Sequence, residues 1–411
     1  MRVHVISDPA EAGAHSVSLT AALPAAPRCW GQWRPALTLG AGSPGGLMLP
    51  DATPTSHTLY APRGVWIDEQ RIIVADTGNH RVLIWDGWPS ADGAEADVIL
   101  GQPDAASEGP NFAGASVAAG MHLPTGLLVD EAGRLIVADA WNHRLLVWDE
   151  VPTAGRSAAA ADHVIGQRDA CSVEANRGAE PGAGTLYWPF GVALVDGRFY
   201  VADTGNRRVL GWSGGLPLAG EPADVVLGQP GPALRAENRG AGPGPSSFRW
   251  PHAVTTTGAG GIYVADAGNH RLLRWEAHPD RDRPADAVVG QPDFATATEF
   301  PYQSQVGRMR FPYALSGWAP PAPPGLSRAG LAVADTANNR ILIWDQAPVG
   351  EELPDLALGQ LDLGGAGENR WQAVAPDTLC WPYGLARWGD ALAVADSGNN
   401  RVTIWRREGQ G

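Results

Sequence analysis

Lysine is absent from this 411-residue chain: all 30 basic residues are arginine. Any cation that recognises an anion here is therefore a planar guanidinium, suited to forked contacts with carboxylate or phosphate. Cysteine is scarce. Cys29, Cys171 and Cys380 form no CxxC pair, which removes support for a thiolate zinc site. Their odd, sparse count suits a reducing compartment. No run approaches 18 apolar residues, so no membrane-spanning helix is expected. The opening MRVHVISDPAEAGAH has no basic stretch leading into an apolar one, so no signal peptide is expected and a cytoplasmic location is. Charged residues make up only 18% of the chain, with a formal net charge of −14. Nucleic acids and anionic membranes are bound through a basic surface, so DNA, RNA and membranes are not expected partners. No HExxH, phosphate-cradling glycine loop or Ser-His-Asp order stands out.

Glycine (52) and proline (35) are abundant, as turn-dense all-β chains require. One phrase recurs six times: VADTGNHR (74–81), VADAWNHR (137–144), VADTGNRR (201–208), VADAGNHR (264–271), VADTANNR (333–340) and VADSGNNR (394–401). The starts lie 63, 64, 63, 69 and 61 residues apart. A long fixed period means one structural unit repeated. The first unit shows its parts: Pro62-Arg63-Gly64, then VWID (65–68), RIIVAD (71–76), RVLIWD (81–86) and DVILGQ (97–102). Each run is short, rich in Val, Ile, Leu and Trp, and bounded by Gly, Asp, Asn or Pro, which are strand and turn signals. TGN reads as a tight turn in which Gly or Asn takes unusual backbone angles. Six units of four antiparallel strands predict an all-β, six-bladed β-propeller. The sixth unit has no fourth strand after Trp405. Residues 36–40 (ALTLG) resemble the DVILG phrase and are expected to complete the last blade, closing the ring and removing an open edge. This gives an N-terminal extension over 1–34 and one propeller domain over 35–411, expected to be monomeric.

Features shared by all six units read as scaffold. Asp76, Asp139, Asp203, Asp266, Asp335 and Asp396 are expected to bind turn N–H groups or the arginine five residues on. Trp85, Trp148, Trp212, Trp275, Trp344 and Trp405 share one register and are expected to pack between blades. Trp188, Trp250, Phe311 and Trp381, each just before a proline, are assigned the same packing role. His80, His143 and His270 are expected at surface or turn positions. Loops of about 20 residues follow each Gly-Gln and should emerge on the face of the channel mouth. Asn176-Arg177, Asn238-Arg239 and Asn369-Arg370 are expected to pin those loops through side chain–backbone bonds. Pro320-Pro321 and Pro323-Pro324 read as a stiff loop on the opposite face.

The x of P-x-G varies between units and should face the channel mouth: Arg63, Thr125, Phe190, His252, Tyr313 and Tyr383. Arg249 and Arg310, two residues before their prolines, are candidates for the same rim. An arginine, a histidine and two phenols around a concave opening suit a carboxylate, a phosphate or a peptide end.

VAD-x-x-N-x-R followed by an apolar strand, after P-x-G, resembles the NHL repeat, with the eponymous pair at Asn79-His80, Asn142-His143 and Asn269-His270. The GQPD phrase (101–104, 290–293) is similar to that of bacterial NHL proteins of unassigned function. The resemblance implies a propeller but no single activity, because lyases, protein-binding and RNA-binding modules share it. The peptide-amidating lyases among them hold zinc with a histidine after the proline of three blades. Only Pro251-His252 matches, and one imidazole cannot supply three ligands; His122 is the one further candidate. No metal or cofactor is therefore expected. The favoured reading is a non-catalytic scaffold binding a protein partner or a small polar or anionic ligand at the mouth. The alternative is a lyase or hydrolase in the channel, metal-dependent or using His252 with Tyr313 as acid and base.

Overall fold

In the computed structural model, residues 33–40, 53–114, 117–299, 305–318 and 329–408 are described. They form six four-stranded antiparallel sheets. Blade 1 runs outward through Gly64–Ile67, Ile72–Asp76, Arg81–Trp85 and Val98–Leu100. The innermost strands of blades 2 to 5 are Pro124–Val129, Pro189–Val195, Pro251–Thr256 and Pro312–Trp318. Blade 6 is Pro382–Trp388, Ala391–Asp396 and Arg401–Arg407, with Trp33–Leu39 as its outer strand. That closure agrees with the sequence expectation, except that the strand starts at Trp33. It pairs Leu37 with Ile404 and Leu39 with Val402 across a bulge after Pro35. Each innermost strand packs on the next, and blade 6 on blade 1, so the ring is complete. No helix among the described residues is long and apolar enough to cross a membrane. The proline pairs at 320–324 lie outside the described residues.

The VAD strands are buried throughout because both their faces meet neighbouring blades. Such strands read as continuous apolar runs. Each ends in an aspartate carrying the same network. In blade 1, Asp76 Oδ2 accepts from Arg81 Nε at 2.7 Å and Asn79 Nδ2 at 2.8 Å, while Oδ1 accepts the Tyr60 N–H at 2.6 Å. The remaining Arg81 nitrogens donate to the carbonyls of Ala105, Thr55 and Thr58. The pair recurs in every blade at 2.7–2.9 Å, with both partners buried. Burying a charge is tolerated only where it is paired and its hydrogen bonds are made. These networks meet both conditions; in blades 1 to 5 they tie two loops to the blade, and in blade 6 Arg401 binds the carbonyls of Ala375 and Thr378.

The turn differs from its expectation in one respect. TGN and its equivalents form a single 3-10 turn, and the left-handed residue is the next one: His80, His143, Arg207, His270, Asn339 or Asn400, at φ 52–57°. Gly78 instead sits under Tyr60, whose ring would lie 2.5 Å from an added Cβ. The six register tryptophans are buried as expected, with five indole N–H groups donating to backbone carbonyls and that of Trp405 to Thr403 Oγ1.

Candidate functional site at the channel mouth

In blades 2 to 6 the innermost strand begins at its proline, and its register slips directly afterwards. A bulge re-aims the side chain it carries, and here that is the x of P-x-G. In blades 1, 2, 3 and 6 a glycine follows, where blades 4 and 5 have Ala253 and Ala314, and it lets the blades close up: a Cβ on Gly191 would sit 2.2 Å from the His252 carbonyl oxygen, and one on Gly64 1.9 Å from that of Thr125.

Phe190, His252, Tyr313, Tyr383 and Arg63 all line one depression at the mouth. His252, Tyr313 and Tyr383 stack, at interplanar angles of 26° and 29°, and Phe190 leans on His252 at 59°. Ring centroids are 4.4 Å apart for Phe190–His252, 4.2 Å for His252–Tyr313 and 4.7 Å for Tyr313–Tyr383. The Arg63 guanidinium lies 4.7 Å from the Tyr383 ring centre, a cation–π distance. Thr125 does not join them. It is buried and its hydroxyl donates to the Phe190 carbonyl at 2.8 Å. Arg249 and Arg310 are ion-paired to Glu237 at 3.1 Å and Glu299 at 2.6 Å. Below the stack, Val65, Leu127, Val192, Val254, Leu315 and Leu385 form an apolar ring.

The stack leaves a space of about 80 Å³, far below the roughly 300–1,000 Å³ of sites that enclose a whole small ligand. Among the described residues, neither phenol hydroxyl nor the Arg63 guanidinium makes a hydrogen bond or ion pair. Burial raises both phenol pKa values, opposed by Arg63. His252 Nδ1 donates to the Trp250 carbonyl at 2.9 Å, which fixes the tautomer and leaves Nε2 a bare acceptor. Burial, reinforced by Arg63, pushes this histidine down to about 3, so it is neutral at physiological pH. Among the described residues no three His, Cys, Asp or Glu side chains gather as a metal-binding group.

The aromatic residues before the prolines touch neighbouring blades as expected, Trp188 meeting Trp141 and Phe311 meeting His270 and Trp250, but they do so at the surface rather than in the core. Trp381 is 37% exposed, and Trp188, Trp250 and Phe311 are half-buried on the mouth face. Trp188, Phe311 and Trp381 have positive φ of 48–52°, and so do Leu123, at 51°, and Ala61, at 45°, at the same position. A staple from the preceding blade holds five of these residues in place. The backbone N–H groups of Leu123, Trp188 and Phe311 donate to Nδ1 of His80, His143 and His270, and those of Trp381 and Ala61 to Oδ1 of Asn339 and Asn400, all at 2.9–3.2 Å. The repeat's histidine is thus a joint between blades, which its place beside a turn did not reveal. At the sixth joint stands Arg207, which has no acceptor to offer. Trp250 there does not adopt the left-handed conformation, and its carbonyl is the one that binds His252.

The loop asparagines pin as expected, but by amide–amide pairs rather than backbone bonds. Asn176 pairs with Asn206, Asn238 with Asn269 and Asn369 with Asn399. The neighbouring Arg177, Arg239 and Arg370 supply the backbone bonds, to Gly166, Gly228 and Gly359. Around the stack the loops present Tyr60, Trp141, Trp371 and Trp381, exposed by 45%, 46%, 82% and 37%. Trp141 joins the stack through Trp188, at 5.6 Å.

The architecture defines a closed six-bladed propeller with a plugged axial mouth. Two of its repeats match the family model described as NHL repeat, over residues 121–148 and 248–275, and the Asp, Asn and Arg network of those two stands in all six blades. The chain is similar to NHL repeat-containing protein 3 of Mus musculus, at 39% identity over 77 residues, 18% of this chain. That match spans only about a fifth (20%) of the mouse protein's length. A solved auxiliary nutrient binding protein from Bacteroides thetaiotaomicron superposes with a TM-score of 0.53, covering 89% of this chain and 74% of that one at 13% identity; the likeness shows the fold alone. A virginiamycin B lyase from Staphylococcus aureus covers 84% of this chain and 94% of its own at 11% identity, with a TM-score of 0.40, too loose to bear on chemistry.

Proposed function

We propose that this propeller is a non-catalytic recognition scaffold whose mouth face binds a protein segment carrying an acidic side chain. One observation carries the reading: Arg63 closes a row of four packed rings and has no counter-ion among the described residues. A half-buried cation without an anion is costly, and a partner's carboxylate would relieve the cost through charge-assisted bonds. The space of about 80 Å³ suits a carboxylate rather than a whole metabolite. The exposed Tyr60, Trp141, Trp371 and Trp381 supply the aromatic area by which protein interfaces gain most of their affinity. A net charge of −14 opposes a polyanionic nucleic acid in this role. The neutral, deeply shifted His252 is far from the near-7 poise of a general base, which favours binding over catalysis.

The test is selection of peptides from a displayed random library on the wild-type protein, followed by titration of the winners. Acidic peptides should emerge, lose at least tenfold in affinity against Arg63→Gln, and lose as much when their acidic residue becomes the amide. Winners that are indifferent to both changes would rule the reading out.

A further inference from the structure

We propose that the opposite end of the channel is a second ligand site, built for an amphiphilic monocarboxylate. Beyond the apolar ring the channel widens into a vestibule of about 280 Å³, close to the lower bound of small-ligand sites. Its wall has two unlike halves. Blades 1 to 3 contribute Trp66, Ile67, Leu128 and Leu194, an apolar surface. Blades 4 to 6 contribute Thr255, Thr256, Ser316 and Arg387.

The polar half offers donors. Thr255 Oγ1 accepts the Gly317 N–H at 2.9 Å and Thr256 Oγ1 accepts the Gly258 N–H at 2.8 Å. Each hydroxyl therefore keeps its proton to give. Arg387 gives only donors by nature. A group that answers such a set is acceptor-only, as an ionised carboxylate is.

Charge accounting points the same way. The two carboxylates that act on Arg387 are Asp345 and Asp390, while Arg407 repels it. Both carboxylates are already taken, Asp390 by Arg406 at 2.9 Å and Asp345 by Arg407 at 3.1 Å. Three guanidiniums thus face two carboxylates. Arg387 is the one left over, half-buried, with its guanidinium 4.2 Å from the Trp318 ring centre and no ion pair or hydrogen bond among the described residues. In a chain with 44 acidic and 30 basic residues, an unpaired half-buried cation beside an apolar cavity is a built feature. A carboxylate on Arg387 with its hydrocarbon body along blades 1 to 3 satisfies both halves. The site is independent of the mouth, from which the apolar ring divides it.

Calorimetric titration of the intact protein with octanoate tests this, with octan-1-ol as the neutral probe of equal length. Octanoate should bind one site, at least tenfold more tightly than octan-1-ol, and Arg387→Gln should abolish that difference. Leu194→Trp, which fills the apolar half while keeping the cation, should also remove binding. Arg63→Gln should leave it unchanged, which separates this site from the mouth. No octanoate binding by the folded wild-type protein, equal binding of the alcohol, full binding by Arg387→Gln, or loss in Arg63→Gln would each overturn the proposal.

Discussion

The Trp188 N–H donates to His143 Nδ1 at 3.1 Å, so the turn of blade 2 holds the entry to the innermost strand of blade 3. The same act presents the indole of Trp188 to the mouth face. Joint and platform are one device.

The joints make stability pH-dependent. Burial pushes His80 and His143 down to about 4, with His122 adding to it, and lowers His270. A neutral Nδ1 accepts the blade-joining bond, and a protonated one cannot. The unfolded chain takes up these protons near pH 6.5, so the contribution is complete above that value and is lost as the pH falls through about 4. The triple variant His80→Asn, His143→Asn, His270→Asn copies the Asn339 and Asn400 joints. Its thermal midpoint should fall less than that of the wild type between pH 7.5 and 4.5, and parallel falls would refute the assignment.

The Asp139–Arg144 network is buried and bonded at every arginine nitrogen, so deleting one partner strands the other. Arg144→Ala should cost about 3–5 kcal/mol, read as a lower urea midpoint. A loss below about 1 kcal/mol would show that the pair is dispensable.

Closure depends on the first described strand. Trp33 is 1% exposed and packs in the core cluster of blades 5 and 6. Trp33→Ala should destabilise the whole ring by about 3–5 kcal/mol, in a single unfolding transition. An unchanged midpoint would show that this strand is an ornament on a five-and-three-quarter-bladed core.

The irregular joint should be visible by NMR. ¹⁵N spectra should show His252 as the neutral Nδ1–H tautomer from pH 8 down to about 4, because the Trp250 carbonyl holds that proton and burial lowers its titration to about 3. An Nε2–H tautomer, or titration near 6.5, would contradict the geometry.

Cys380 is half-buried, and burial with the nearby Asp396 pushes its thiol up to about 12. Cys171 is exposed. A thiol reagent at pH 7.5 should therefore label Cys171 in the folded protein and Cys380 only on unfolding, by peptide mass mapping.

The blade count, the closure and the scaffold roles of Asp, Arg and the register tryptophans were legible in the sequence, because a residue recurring at every period has a partner at a fixed offset within its own unit. Asp76 and Arg81 are five residues apart and meet across one turn. The roles of His80, His143 and His270 were hidden because their partners, Leu123, Trp188 and Phe311, lie 41–45 residues away in the next blade. The outward position of Trp188 and Trp381 was hidden as well, because a large indole before a proline reads as core until the neighbouring blades show no room for it.

The repeat alone determined the ring, since six units that each leave two apolar faces can bury them only against one another. What only the tertiary structure decided is which arginines stay uncompensated. Arg249 and Arg310 find glutamates, Arg406 and Arg407 take the aspartates near Arg387, and at the two ends of the channel Arg63 and Arg387 have no counter-ion among the described residues. Ion pairing depends on distances between separate blades and loops, and no spacing along the chain encodes those.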